Sequence, residues 1–266
     1  AQATLDPGDD VVCGWPSFPS YVLTAAKLGA TARCVPLRDH TYDLEGLLEA
    51  IGPRTKLVYV CHPNNPTGTA NGRDELLAFL DRLPEHVLCV LDQAYFEYID
   101  DPDYADGVEL FREGRRLAVL RTFSKIYGLA GLRVGWAVGP ADVVTATSKV
   151  RRAFDVTTAA QVAALASLDD PAEIARRREV NATGRERLGE ILRANGLEPV
   201  EPALGNFLFA EVGRGRELFE RLLHEGVIVR PLDGFGAPEA IRVSVGTPEE
   251  NELFAVALGH VLSGVS

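Results

Sequence analysis

The sequence predicts an α/β protein: a large domain on a mostly parallel sheet, followed by a smaller α+β C-terminal domain. Three observations carry this. Apolar runs of strand length recur through the first 168 residues, amphipathic stretches of helical length separate them, and after Pro171 one long charged helix leads into a short mixed unit.

Taken in order, Val11–Val12 and Ala32–Val35 read as short strands around a helix from Tyr21 to Leu28. Lys56–Cys61 (KLVYVC) is almost wholly apolar, which implies a strand buried on both faces. A turn rich in Asn, Pro and Gly follows, then a helix from Asp74 to Leu83. Val87–Leu91, Leu117–Arg121 and Arg133–Val138 repeat the strand pattern, so this half supplies six or more candidate strands. From Pro171 to about Asn195 the charged run reads as a connecting helix, with Gly196 where a C-terminal cap belongs. Strand Phe207–Glu211, helix Arg216–Glu225, strands Val227–Val229 and Ile241–Val245, and a helix from Pro248 complete the chain. The expected domains are 1–168 and 169–266.

Composition narrows the function. With 46% hydrophobic and 24% charged residues in 266, the chain has the make-up of a soluble globular protein with a substantial core. A net charge of −11 works against nucleic-acid binding, which needs clustered Lys and Arg to neutralise phosphates. No apolar run approaches the roughly 20 residues of a membrane span, and no basic-then-apolar leader opens the chain. Cys13, Cys34, Cys61 and Cys89 fall in or beside apolar runs without CxxC or histidine partners at ligand spacing. They are expected to be reduced and buried, in a cytoplasmic protein without a metal site. The chain begins in mid-pattern at Ala1 and contains no methionine, which suggests a fragment.

Four segments follow candidate strands, at the carboxyl ends where open α/β sheets place ligands. They are His62-Pro63-Asn64-Asn65-Pro66-Thr67-Gly68, Asp92-Gln93-Ala94-Tyr95, Thr122-Phe123-Ser124-Lys125 and Gly131-Leu132-Arg133. Each alone is weak, since NPTG can be only a turn and a Ser-Lys pair occurs by chance.

In this order they resemble the fold-type I, class I/II aminotransferases, and the run TFSKIYGLAGLRVGWAV most resembles the histidinol-phosphate aminotransferases. The likeness runs from LDPGDDVV to IRVSVGTPEEN. It implies a seven-stranded type of large sheet, pyridoxal 5'-phosphate as cofactor, and a homodimer acting on a small-molecule amino donor and a 2-oxo acid. By resemblance, Lys125 carries the cofactor as a Schiff base, and Asp92 holds the pyridine nitrogen protonated. Asn65 and Tyr95 meet the ring's phenolic oxygen, while Phe18 stacks on the ring where the family usually has tyrosine, with Trp15 as the rival for the stack. Ser124, Arg133 and possible help from Thr122 would hold the cofactor phosphate. Arg242 would grip the substrate α-carboxylate, Asn206 would line the pocket, and Arg230 would meet a substrate phosphate.

Two residues depart from the family pattern: His62 replaces an asparagine and Gln93 an acidic residue. His62 is expected to be a hydrogen-bonded loop residue. The family's N-terminal arm, with a phosphate-cradling Gly-Ser/Ala-Asp/Glu segment and a tyrosine for the partner's active site, has no counterpart, so weak cofactor binding and turnover are expected. The leading expectation is transfer of an amino group from L-histidinol phosphate to 2-oxoglutarate. Alternatives are an aromatic amino-acid aminotransferase, a cofactor-sensing domain of a transcription regulator, and a lyase or decarboxylase on the same scaffold.

Overall fold

A computed structural model describes residues 1–264. The amino-terminal part alternates strands and helices: β1 (Asp10–Trp15), α1 (Ser20–Lys27), β2 (Thr31–Pro36), α2 (Leu44–Ala50), β3 (Thr55–Cys61), α3 (Arg73–Asp81), β4 (Leu88–Asp92), α4 (Gly107–Arg112), β5 (Leu117–Thr122) and β6 (Gly135–Val138). The strands form one sheet in the order β2-β1-β3-β4-β5-β6. All neighbours are parallel except β6, which runs antiparallel to β5. The apolar run of β3 sits near the middle, and its residues from Leu57 to Cys61 are buried. Fully burying a Val, Leu or Phe side chain contributes about 1.5–3 kcal/mol, so this central stripe is a substantial part of the first core.

Helices α5 (Ala141–Val150), α6 (Thr158–Leu168) and α7 (Pro171–Ala194) lead to the second sheet. β7 (Phe207–Glu211), α8 (Gly215–His224), β8 (Arg230–Pro231), β9 (Ala240–Ser244) and α9 (Pro248–Ser263) follow. The antiparallel sheet β7-β9-β8 carries its own core, including Leu188, Leu192, Leu208, Leu222, Ile241 and Leu258. Helix α7 starts on Asp170, whose carboxylate accepts from the Glu173 N–H, with Pro171 in the first turn. It ends before Gly196, which takes the left-handed φ of 73° that an L side chain resists.

Three features depart from the sequence expectation. Val227–Val229 is not a strand; pairing starts at Arg230, where the chain comes opposite Arg242 of β9. β6 pairs only from Gly135, because Arg133 sits at φ 54° in the left-handed region and cannot extend the ladder. Cys34 is exposed on the edge strand β2, whereas Cys13, Cys61 and Cys89 are buried, and all four are free thiols.

Candidate active site

The parallel register aligns the carboxyl ends of β3, β4 and β5. Cys61 lies opposite Asp92, and Asp92 opposite Leu120. The ladder continues past the strand ends: His62 N–H donates to the Asp92 carbonyl (2.8 Å), Gln93 N–H to Leu120 (3.0 Å) and Phe123 N–H to Val134 (3.2 Å). Backbone pairing thus brings the four motif segments to one edge. The antiparallel β6 places Gly135 beside Thr122, which delivers Arg133 to the same edge.

The amine of Lys125 lies 4.9 Å from the centre of the Tyr95 ring. Burial holds its pKa below the usual lysine range; the charges of Arg242 and Arg133 act in the same direction, and Asp92 opposes them. Lowering the pKa increases the fraction of neutral, nucleophilic amine. Asp92 is pushed above the usual carboxylate range by burial, against donors from the Tyr21 hydroxyl and the Ala94 N–H and the charge of Lys125. Tyr95 is buried and its phenol is raised by desolvation, so it stays a hydrogen-bond donor.

The second sheet closes on this edge. Phe207 packs edge-on against Tyr95 with ring centres 5.2 Å apart, and the Arg242 guanidinium lies 4.9 Å from the Phe207 ring centre. Arg242 donates to Oδ1 of Asn65, so residues 177 positions apart in sequence meet here. Its Nε is buried without a partner among the described residues. Arg230, exposed on β8, is the register partner of Arg242. Both line one end of a cavity of about 990 Å³ together with Phe235; the remainder of that cavity runs along α8, α9 and the loop before β8, away from Lys125.

The other expected residues distribute unevenly. The Thr122 hydroxyl accepts from the Ser124 N–H (3.0 Å), which shapes the turn before Lys125. Arg133 is exposed and donates to the Ala130 carbonyl (2.7 Å). Asn206 is half-buried at the entry to β7, and its carbonyl accepts from Val245. Phe18 is partly exposed and packs edge-on against Tyr21. Trp15 is drawn elsewhere: its indole nitrogen would be 1.9 Å from a Cβ placed on Gly236, so it lies against the turn before β9. Gly68 makes a similar close approach, its carbonyl accepting from Leu204 (2.8 Å), and this docks the NPTG turn on the second unit. His62 is a buried loop residue, bonded through Nε2 to the Asn71 carbonyl (2.9 Å) and pushed down to about 4 by burial, hence neutral.

Sequence reasoning missed several supports. Tyr21 reaches Asp92 across 71 positions, which no local pattern signals. Gln93 is buried behind Asp92, where its amide donates to the Ala105 carbonyl (2.7 Å) and the Tyr104 hydroxyl (3.1 Å) while its oxygen accepts from Gly107 and Arg121. The departure from an acidic residue therefore has a local cause: two acceptors need an N–H donor, and Asp106 and Glu97 already face Arg121. Helix α7 also grips the site, with Arg177 donating to Ile126, Arg178 to Glu97 and Arg185 to Gly205.

These features have close counterparts among known proteins. The family model described as aminotransferase class I and II matches residues 1–258. The chain is 44% identical to the histidinol-phosphate aminotransferase of Moorella thermoacetica, over 99% of this chain and 68% of that protein. It is 46% identical to the aromatic amino acid aminotransferase of Thermobifida fusca, over 95% of this chain and 69% of that one. Among solved structures, histidinol-phosphate aminotransferase from Sinorhizobium meliloti, in complex with pyridoxal-5'-phosphate, superposes with a TM-score of 0.90 at 30% identity, covering 100% of this chain and 73% of its own. With its motifs gathered at one sheet edge and matched along nearly their whole length, this chain belongs to the class I and II aminotransferases.

Proposed function

We propose that the protein is a pyridoxal-phosphate-dependent transaminase that exchanges an amino group between L-histidinol phosphate and 2-oxoglutarate. The carrying observation is the convergence of a lysine of lowered basicity, a half-buried acid and a partnerless arginine nitrogen at the junction of the two sheets. The donor set suits the cofactor. Asp92 offers a carboxylate for a pyridine N–H, Tyr95 and Asn65 offer donors for a phenolic oxygen, and Ser124, Arg133 and Thr122 supply a hydroxyl-and-guanidinium set for a phosphate. Phe18 supplies an apolar ring near Tyr21 for stacking.

When bound, the cofactor supplies an electron sink for the pair left behind as the substrate's α-proton departs. The chain's residues do the rest. Lys125 would hold the cofactor through its neutral amine and, once displaced by the substrate amine, would move the proton at the substrate α-carbon. Asp92, kept ionised, would hold the pyridine nitrogen charged. Arg242 receives the α-carboxylate in a two-pronged contact that satisfies its buried Nε. Arg230 stands beside it on β8 for a second anion, such as the donor's phosphate, with Asn206 at the pocket wall. Residues 1–168 form the large domain in this reading and 169–266 the small one.

A coupled assay tests the substrate assignment: glutamate should accumulate from L-histidinol phosphate and 2-oxoglutarate, and its absence would overturn it. The aromatic amino-acid reading draws on the Thermobifida relative; phenylalanine turnover that outpaces histidinol phosphate would favour it. Among the described residues no helix is long and apolar enough to cross a membrane. We read the protein as a cytoplasmic homodimer, supported by the exposed apolar side chains Val144 on α5 and Val162, Leu165 and Leu168 on α6, which a second copy would cover.

A further inference from the structure

Beneath the candidate acid lies a second aromatic residue without a role in the chemistry described so far. Tyr21, on α1, is 5% exposed, and its hydroxyl donates to Oδ2 of Asp92 at 2.7 Å. Its ring lies flat on Tyr59 of β3, with centres 4.5 Å apart and planes 10° from parallel. Phe18 meets it edge-on, with centres 5.7 Å apart at 81°. Three contacts therefore fix one phenol, and its proton points at the carboxylate. The other carboxylate oxygen accepts from the Ala94 N–H at 3.2 Å, so both oxygens are held while each keeps a lone pair free.

We infer that Tyr21 is a positioning residue, which keeps Asp92 ionised and correctly turned for the coenzyme's pyridine nitrogen; this rests on the transaminase reading above. A buried carboxylate tends to take up a proton, and a neutral acid could not hold a pyridinium. A hydrogen bond to the charged form opposes that tendency. Tyr21 suits the task because it does not surrender its own proton: burial and the Asp92 charge hold its pKa well above the usual phenol range. The other polar neighbour of the hydroxyl, Cys61, is a neutral thiol, pushed up to about 12 by burial. A phenylalanine would fill the same space and keep both ring contacts, so packing alone does not require the hydroxyl. The edge contact with Phe18 also means that one side chain braces the candidate stacking ring and the candidate acid together.

The test is Tyr21→Phe in the holoprotein, with coenzyme labelled with nitrogen-15 in the ring. The pyridine resonance should move toward its unprotonated position. The kcat should fall about tenfold, near the lower end of what a hydrogen bond to a charged group supports, with KM for the amino donor within about twofold. A purely structural role predicts instead a lower unfolding midpoint with an unmoved resonance and unchanged kcat, and that result overturns the inference. The two readings separate cleanly: wild-type protein that binds no labelled coenzyme at Lys125 sinks the transaminase reading and this inference with it. A wild type with a protonated ring, matched by an equally protonated Tyr21→Phe, sinks only the role of Tyr21.

Discussion

The carboxyl edge of the main sheet and the β8–β9 pair both gather charge, but they hold it differently. Around Asp92 most polar atoms are paired: Asp92 takes donors from Tyr21 and Ala94, Gln93 satisfies four neighbours, and the neutral His62 is bonded through Nε2, although its buried Nδ1 has no partner among the described residues. In the hairpin, Arg230 and Arg242 stand directly opposite each other with like charge, and the buried Nε of Arg242 has no partner among the described residues. Like charges opposite one another in a sheet are destabilising, and so is an unsatisfied buried donor. The first region is largely paired within the chain; in the proposed function the second would be completed by anions. In the proposed function that difference would separate groups that do chemistry from groups that recognise.

The comparison breaks most decisively at Lys125. Lys125→Ala should lower transamination on the order of 10⁴-fold, the upper range for loss of a proton-transfer group, and single-turnover kinetics measure it. The fold should persist, with one change in pH response. Because burial lowers the folded pKa of Lys125, the unfolded chain binds more protons between that value and the usual lysine range. Stability from this group therefore rises as pH rises through that window, and chemical denaturation of the apoprotein should show the slope lost in the variant.

Gln93→Glu probes whether the amide behind Asp92 is as fully complemented as its contacts imply. A carboxylate keeps the bonds from Gly107 and Arg121 but sets a lone pair against the Ala105 carbonyl. Urea unfolding should show a loss of about 1–3 kcal/mol, and an unchanged midpoint would contradict the account of why an amide stands there. The smallest effect belongs to the hairpin. Arg230→Ala should raise KM for histidinol phosphate about tenfold, near the value of one charged hydrogen bond, and leave phenylalanine unaffected. It should also stabilise the anion-free protein by a few tenths of a kcal/mol by removing the like-charge pair. A destabilised variant would mean that the hairpin is complemented without a ligand.

What could be read from the residues alone follows from how local the signal is. β3 and β5 carry continuous apolar runs, and β7 shows its exact span because its own apolar residues are adjacent in sequence. The motif segments were legible as strand-end turns, and their meeting at one edge follows from parallel register. Helices α5 and α6 were not legible, since their side chains remain largely exposed: α5 buries none, and α6 buries only the alanines Ala160 and Ala164, too small a face to impose a clear period. The shift of the expected strand at Val227 to Arg230 follows from pairing with β9, a partner ten residues further on, rather than from local composition. Contacts such as Tyr21 to Asp92 and Arg242 to Asn65 join distant positions and exist only once the sheets are built.

Helix α7 carries a constraint of its own. Its guanidinium groups at 177, 178 and 185 hold carbonyls in the lysine loop, in the turn after Tyr95 and in the approach to β7. One residue added between 178 and 185 would swing the distal arginine by about 100° around the rod, since a turn takes 3.6 residues. Length changes in this segment are therefore compatible with the fold only in near-whole turns, and the spacing of the two halves of the molecule is set by helical phase as much as by distance.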